Sequence, residues 1–354
     1  MADLQTTYIS DLEQGTIQDS TLFVTDNGEN TNSATAADVV NFAKEKILPE
    51  ANSYADTKKS EAVEESKEYV NGVVSNENLL INWDFTNPVN QRGQTTYHNE
   101  SASYIYTIDR WRLKYGTVNL NTNGIEFINS KSAKTAVLGQ VTAEYSGIEG
   151  NPLTFSAIIN NELYTLNINL GWVFPSSGST ALGNTTTSEN MTMYVYARND
   201  KRVEVQFYVA STVSINTSFT IEKCKLELGT ISTLDNSSPQ NYDEELIKCY
   251  GFYQKTPINN RYSGVGITMA AYSTIRLEPF KIYPMRIVPT ITIFNVTGPD
   301  YNEVGTITAT GSADKITGCS AVAYGIEYFI VRGSGFTTGT AYSFGFEADA
   351  EIYD

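Results

Sequence analysis

"KLELGTISTLDNSSPQNYDEELIKCYGFYQK", residues 225–255, reads as the end of a strand, a polar turn, an acidic helix start and a knot of aromatics. Asn236 to Pro239 turn the chain. Asp243, Glu244 and Glu245 then stand where carboxylates favour a helix N-terminus, and Leu246, Cys249 and Tyr250 supply an inward face. Phe252 and Tyr253 follow as the plug of a joint. One short helix between two β-rich stretches predicts a join between two β-domains.

The flanking sequence has the texture this requires. Upstream, from Asn78, runs such as NLLINWDF, YIYTIDRWRLKYG, LYTLNINLGW, MTMYVYARND and KRVEVQFYVAS are short and rich in Tyr, Ile and Val, and Asn, Gly, Ser and Pro separate them. Helical periodicity is missing, and a two-sheet antiparallel sandwich of jelly-roll type is predicted over 78–235. Downstream, PTITIFNV, GCSAVAYGIEYFIVRGSG and AYSFGFEADAEI predict a second, smaller sandwich over 236–354. Tyr342, Phe344 and Phe346 alternate onto one side of its last strand.

The N-terminal quarter differs. Residues 1–44 hold TLFVTDNGEN, a strand followed by a turn signal, and ATAADVVNFAKEKI, with helical spacing at Ala37, Val40 and Ala43. Residues 45–77 read as a helix from Pro49 whose best inward line is Ala51, Ala55, Lys58, Ala62, Ser66, Tyr69 and Val73. The spacing averages about 3.67 residues, the period of a straight or slightly right-handed supercoil. Copies side by side would bury that line as a coiled-coil stalk, because an isolated helix is marginal. The alternative is a solvated linker helix in a monomer.

Composition excludes several classes. A net charge of -16 opposes nucleic acid, which needs clustered Lys and Arg. The chain opens without a signal peptide and has no apolar stretch of membrane-spanning length. Cys224, Cys249 and Cys319 are odd in number and are expected as packed thiols. Synthesis in a reducing cytosol combined with a composition rich in Tyr, Asn and Thr suggests release by lysis, as in a virus particle.

A family resemblance covers most of the chain. "LELG…SPQNYDEELIKCYGFYQK", "EPFKIYPMRIVPTITIFN" and the closing "FEADAEI" resemble a recurring segment of bacteriophage tail-fibre and receptor-binding proteins. "NLLINWDFTNPVNQRG…YTIDRWRL" resembles the opening of the carbohydrate-module-like sandwich in such fibres, and "ISDLEQGTIQDSTLFVTDNGENTNSATAADVVNFA" is similar to their N-terminal attachment module. Cys249-Tyr250-Gly251-Phe252-Tyr253 departs from the family's paired aromatics. The resemblance implies a homotrimeric fibre on the virion surface, docked through its N-terminus on another virion protein and recognising a bacterial surface glycan, with no membrane insertion. A structural head, collar or capsid-decoration fibre is the alternative.

Candidate glycan contacts follow from loops and exposed rings. Trp172 precedes the polar stretch VFPSSGSTALGNTTTSEN, read as a long loop, and Asn259, Asn260, Arg261, Tyr262, Tyr301 and Asn302 lie in distal C-terminal loops. Trp83, Trp111 and Tyr272 sit in strand-like runs and are read as packed, and Asp109, Arg110 and Arg112 as a structural salt-bridge group. No catalytic role is expected. His98 lies in a polar loop without a nucleophile signature, and no carboxylate pair stands in a distinguishing motif. No cofactor is expected, and no Asp-x-Asp loop supports a structural calcium.

Overall fold

A computed structural model describes residues 22–26, 31–73, 76–145, 147–188, 190–256, 267–296, 302–310 and 314–351. The chain is mostly β, 43% strand and 13% helix, with antiparallel sheets. It divides into two compact units, residues 1–71 and 72–354.

In the first unit, Leu22–Asp26 pairs with Thr31–Thr35, and a helix starts at once. Thr35 caps it reciprocally: the Asp38 carboxylate accepts from the Thr35 N–H at 2.9 Å and from its hydroxyl at 2.7 Å, and Thr35 Oγ1 accepts from the Asp38 N–H at 3.2 Å. Ala36–Phe42 runs through a π turn, Ala43–Ile47, into Leu48–Val73. The π turn has a cause in Pro49, whose ring lacks an N–H and would press on the preceding turn. A widened turn, closed by the Leu48 N–H on the Ala43 carbonyl, makes room for it. The boundary expected at residue 44 therefore falls inside a continuous helix.

The second unit holds a sandwich of two six-stranded sheets. The first runs, edge to edge, Glu162–Ile168, Leu153–Ile159, Ser218–Leu228, Gly124–Asn129, Gly116–Asn121 and Thr96–Asn99. The second runs Ser179–Thr186, Met191–Arg198, Val203–Val209, Ala136–Val141, Arg112–Lys114 and Ile105–Tyr106. Alternate residues of both sheets meet in one core around Trp111, whose ring lies edge-on to Phe85 at 4.9 Å and stacks with Phe207 at 6.0 Å. Two stretches read as loops prove to be edge strands: Thr96–Asn99, which carries His98, and Ser179–Thr186. The second shows no clean apolar alternation because its residues are exposed or only half-buried.

The quoted stretch folds as read, with additions. Strand Ser218–Leu228 ends in a buried knot where Lys225 Nζ donates to Thr233 Oγ1 at 2.7 Å and Glu227 accepts from the Thr233 N–H at 2.7 Å. Helix Tyr242–Tyr250 is capped by Asn241 and buries Cys249 and Glu245, and Leu246 packs beside them. Burial pushes the Cys224 and Cys249 thiols well up and that of Cys319 to about 11, so all three remain protonated and inert.

Beyond the helix, the expected second two-sheet sandwich is instead one connected ten-stranded sheet. Its centre is Ala341–Asp349, long enough to be paired along both edges in two halves. Ile267–Ser273 and Ile307–Ala309 flank the first half, and Tyr253–Thr256 and Thr290–Phe294 the second. Tyr342, Phe344 and Phe346 point together into its core, at 3%, 0% and 3% exposure.

Phe252 and Tyr253 do plug the joint, each under an arginine. The Arg110 guanidinium lies 3.5 Å from the Phe252 ring centre, and that of Arg92 lies 3.7 Å from Tyr253. Arg110 Nη1 bonds Glu351 at 2.5 Å, Arg92 Nη1 bonds Asp109 at 3.3 Å, and Gln91 Nε2 bridges Asp109 at 2.7 Å and the Tyr253 carbonyl at 2.8 Å. The salt-bridge reading of Asp109 and Arg110 holds: Asp109 pairs with Arg92 within the sandwich, and Arg110 with Glu351 joins the sandwich to the C-terminal sheet. Arg112 pairs within the sandwich, with Glu204 at 2.8 Å.

This joint predicts a pH dependence. Burial pushes the Asp109 carboxyl from its ordinary 3.8 up to about 7, against the pull of Arg92. Between about 4 and 7 the folded chain then holds the proton that the unfolded chain has lost, so this group's contribution falls as pH rises through that window. Unfolding midpoints in urea at pH 5 and pH 7.5 should show wild type losing about 2–3 kcal/mol relative to Asp109→Asn at the higher pH. Parallel pH profiles for the two proteins would contradict the assignment.

Candidate functional site

The outer face of the second sandwich sheet carries a group of aromatic and polar side chains suited to a ligand. Strand alternation builds it. Met191, Met193, Val195 and Ala197 turn inward with Val203, Val205, Phe207 and Val209 opposite, all at 0% exposure. Thr192, Tyr194 and Tyr196, with Glu204, Gln206 and Tyr208 on the next strand, therefore turn outward.

The three tyrosines lie against one another. Tyr194 stacks with Tyr196 at 5.5 Å and meets Tyr208 edge-on at 5.4 Å, leaving each ring half-buried. Across the sheet from Tyr194 come Gln206, then Gly139, then Arg112. Glycine is required at 139, because a Cβ there would sit 2.8 Å from the Val205 carbonyl oxygen and 3.2 Å from Gln206 Cγ. The row thus has no side chain between Gln206 and Arg112.

Charge holds the polar members in place. Glu204 accepts from Arg112 Nη2 at 2.8 Å, Gln206 Nε2 at 2.7 Å and Arg198 Nη1 at 3.4 Å. The Tyr104 ring covers the Arg112 guanidinium at 4.3 Å, and Asp200 ties Arg198 to Arg202. Flat rings beside fixed amide and guanidinium groups match a sugar, whose C–H faces stack while its hydroxyls hydrogen-bond. The Glu204 and Asp200 carboxylates are both engaged by arginines.

A second feature lies at one end of the other sheet. An open cleft of about 1140 Å³ is lined by Thr86, Asn121, Asn123, Asn160, Asn161 and Glu222, among others. Asn160 and Asn161 adopt left-handed backbone, with φ of 51° and 64°, in the tight hairpin before Glu162–Ile168. Its lining contains no aromatic ring, so it offers hydroxyl and amide partners without a stacking platform.

Comparison of the chain with family models, with curated proteins and with solved structures finds no match.

The residues singled out from sequence fall as follows. Trp172 is 9% exposed, donates from Nε1 to the Asn151 carbonyl at 2.7 Å and meets Phe174 edge-on, so its ring belongs to the core. Asn302 is exposed, has φ 68° and donates its N–H to Asn295 in a turn. Asn259, Asn260, Arg261, Tyr262 and Tyr301 lie outside the described residues. Ala51, Ala55, Ala62 and Ser66 are exposed along the helix, and the side chains of Tyr69 and Val73 lie outside the described ones. Trp83 packs against the sandwich core and Trp111 is fully buried, as read.

Tyr272 is the reverse of its reading. It is 60% exposed because Ile267, Met269 and Ala271 occupy the inward positions of its strand, and alternation turns Tyr272 outward. The Tyr194–Tyr196–Tyr208 face was not singled out from sequence, although its signal is present: two tyrosines at i and i+2 opposite an inward Met-Met-Val line. Nothing local indicates that a third tyrosine and Arg112 join them from other strands.

Proposed function

We propose that this chain is the subunit of a homotrimeric bacteriophage fibre, with a coiled-coil stalk and a jelly-roll-like sandwich, that attaches to a bacterial surface glycan. The observation that carries the reading is the outward tyrosine face with its Glu204-anchored arginines. It binds and does not cleave. The trimer is supported by the helix of the first unit. None of its described side chains is buried, and it exposes Phe42 at 59%, Ile47 at 55% and Leu48 at 55%. A helix of that length gains its stability from packing, which copies of itself along Leu48, Ala51, Ala55, Ala62 and Ser66 would supply. The N-terminal hairpin would dock on another virion protein, and weak sites would act together across three chains.

The test is binding of the full chain to an array of bacterial polysaccharides, with light scattering on the same sample. A mass three times 39.1 kDa is expected. Tyr194→Ala and Tyr208→Ala should each weaken glycan binding about tenfold at unchanged mass. Binding that persists after complete periodate oxidation of the glycan would refute the reading, and a monomeric mass would refute the trimer.

A further inference from the structure

The C-terminal sheet carries a second outward face, with a different charge. In the hairpin Ser320–Tyr324 and Tyr328–Arg332, Phe329 and Val331 turn inward at 0% and 1% exposure. Tyr324, Tyr328 and Arg332 turn outward, and Tyr324 pairs directly with Tyr328. Arg276 sits opposite Arg332 on the neighbouring strand, and Lys281 opposite Tyr328.

Two arginines in directly opposed positions repel, and a sheet ordinarily avoids the arrangement. Here each guanidinium is held by a ring. Arg276 lies 4.4 Å from the centre of Tyr272, and Arg332 Nη2 donates to the Tyr324 hydroxyl at 2.6 Å. Ion pairs between described residues involve neither arginine nor Lys281. Three exposed cations without acidic partners among the described residues thus share one face of a chain whose net charge is -16.

We infer that this face binds an acidic saccharide, a polymer of uronic acid residues whose carboxylate lies between Arg276 and Arg332. Charge complementarity names an anion, and the guanidinium fork matches a carboxylate bidentately. The exposed rings of Tyr272, Tyr324 and Tyr328, at 60%, 49% and 40%, select a ligand that carries a pyranose ring beside each charge. The inference rests on the proposed glycan recognition and adds the chemical class of the sugar and a second place where it is held.

The experiment is calorimetric titration of the full chain with three probes: polygalacturonate, neutral dextran and a thymidine oligonucleotide. Polygalacturonate should bind, dextran should not compete, and the affinity should fall about tenfold for Arg276→Ser and for Arg332→Ser and fall further in 0.5 M salt, roughly three times the physiological ionic strength. Arg332→Lys should restore only part of the loss, which a purely electrostatic patch would not show. Both arginines are exposed, so the variants should unfold at the wild-type temperature. No polygalacturonate binding, equal binding by the serine variants, or tighter binding of the oligonucleotide would overturn the inference. Polygalacturonate failure with array binding intact at Tyr194 and Tyr208 removes this face alone, and loss of both removes the glycan reading with it.

Discussion

Replacing Glu351 by alanine is expected to lower the unfolding free energy by about 3–5 kcal/mol. Glu351 is 5% exposed, and its carboxylate accepts from both Arg110 Nη1 and the Arg110 backbone N–H. Removing it strands a guanidinium at 1% exposure whose other contacts are the Val141 carbonyl and the Phe252 ring. Arg110 also has φ 73°, a left-handed backbone that a non-glycine residue keeps only when its surroundings hold it there. Removing the carboxylate therefore leaves a buried charge unpaired and releases a strained backbone at the joint between the sandwich and the C-terminal sheet.

The cause can be separated from simple truncation. If the unpaired charge dominates, Arg110→Met combined with Glu351→Leu should recover most of the loss, since a buried ion pair contributes little beyond an apolar pair of similar volume. Urea unfolding of wild type and the two variants measures this. A loss under about 1 kcal/mol for Glu351→Ala, or a double variant no better than the single, would show that the pair does not hold the joint.

Gly345→Ala should cost about 3 kcal/mol or more, the upper range for overpacking a core. Gly345 lies where the central strand passes from one pair of neighbours to the other. A Cβ there would press into the Phe294 ring and approach the Thr256 carbonyl oxygen at 2.7 Å. The ring can be shortened but the carbonyl cannot. Phe294→Leu added to Gly345→Ala should thus recover only part of the stability in thermal unfolding. Complete recovery would place the whole cost on the ring, and no cost at all would contradict the close approach.

Period-two alternation made most strands legible, because the inward and outward faces of a half-buried strand differ in chemistry. It failed where that contrast is absent. Ser179–Thr186 is an edge strand with small and polar side chains, and Thr96–Asn99 carries one core ring, Tyr97, among polar neighbours, so both read as loops. Tyr272 reads as packed from its place in a strand-like run, yet alternation with the inward Ile267, Met269 and Ala271 turns it outward. The candidate face was half legible: Tyr194 and Tyr196 are neighbours in sequence, whereas Tyr208, Glu204 and Arg112 reach them across strand pairings.

The sequence by itself determined a mostly β chain, a helix after Thr35, an acidic helix start before the joint, three packed thiols and an aromatic plug at Phe252 and Tyr253. Each of these depends on local spacing, on a cap or on an apolar run. Only the tertiary structure decided that Arg110 answers to Glu351, that Arg276 faces Arg332, and that one strand with a glycine at its middle organises the C-terminal sheet. Those pairings join residues far apart in the chain, where the energy of a buried charge or a close backbone approach depends on neighbours that no local pattern specifies.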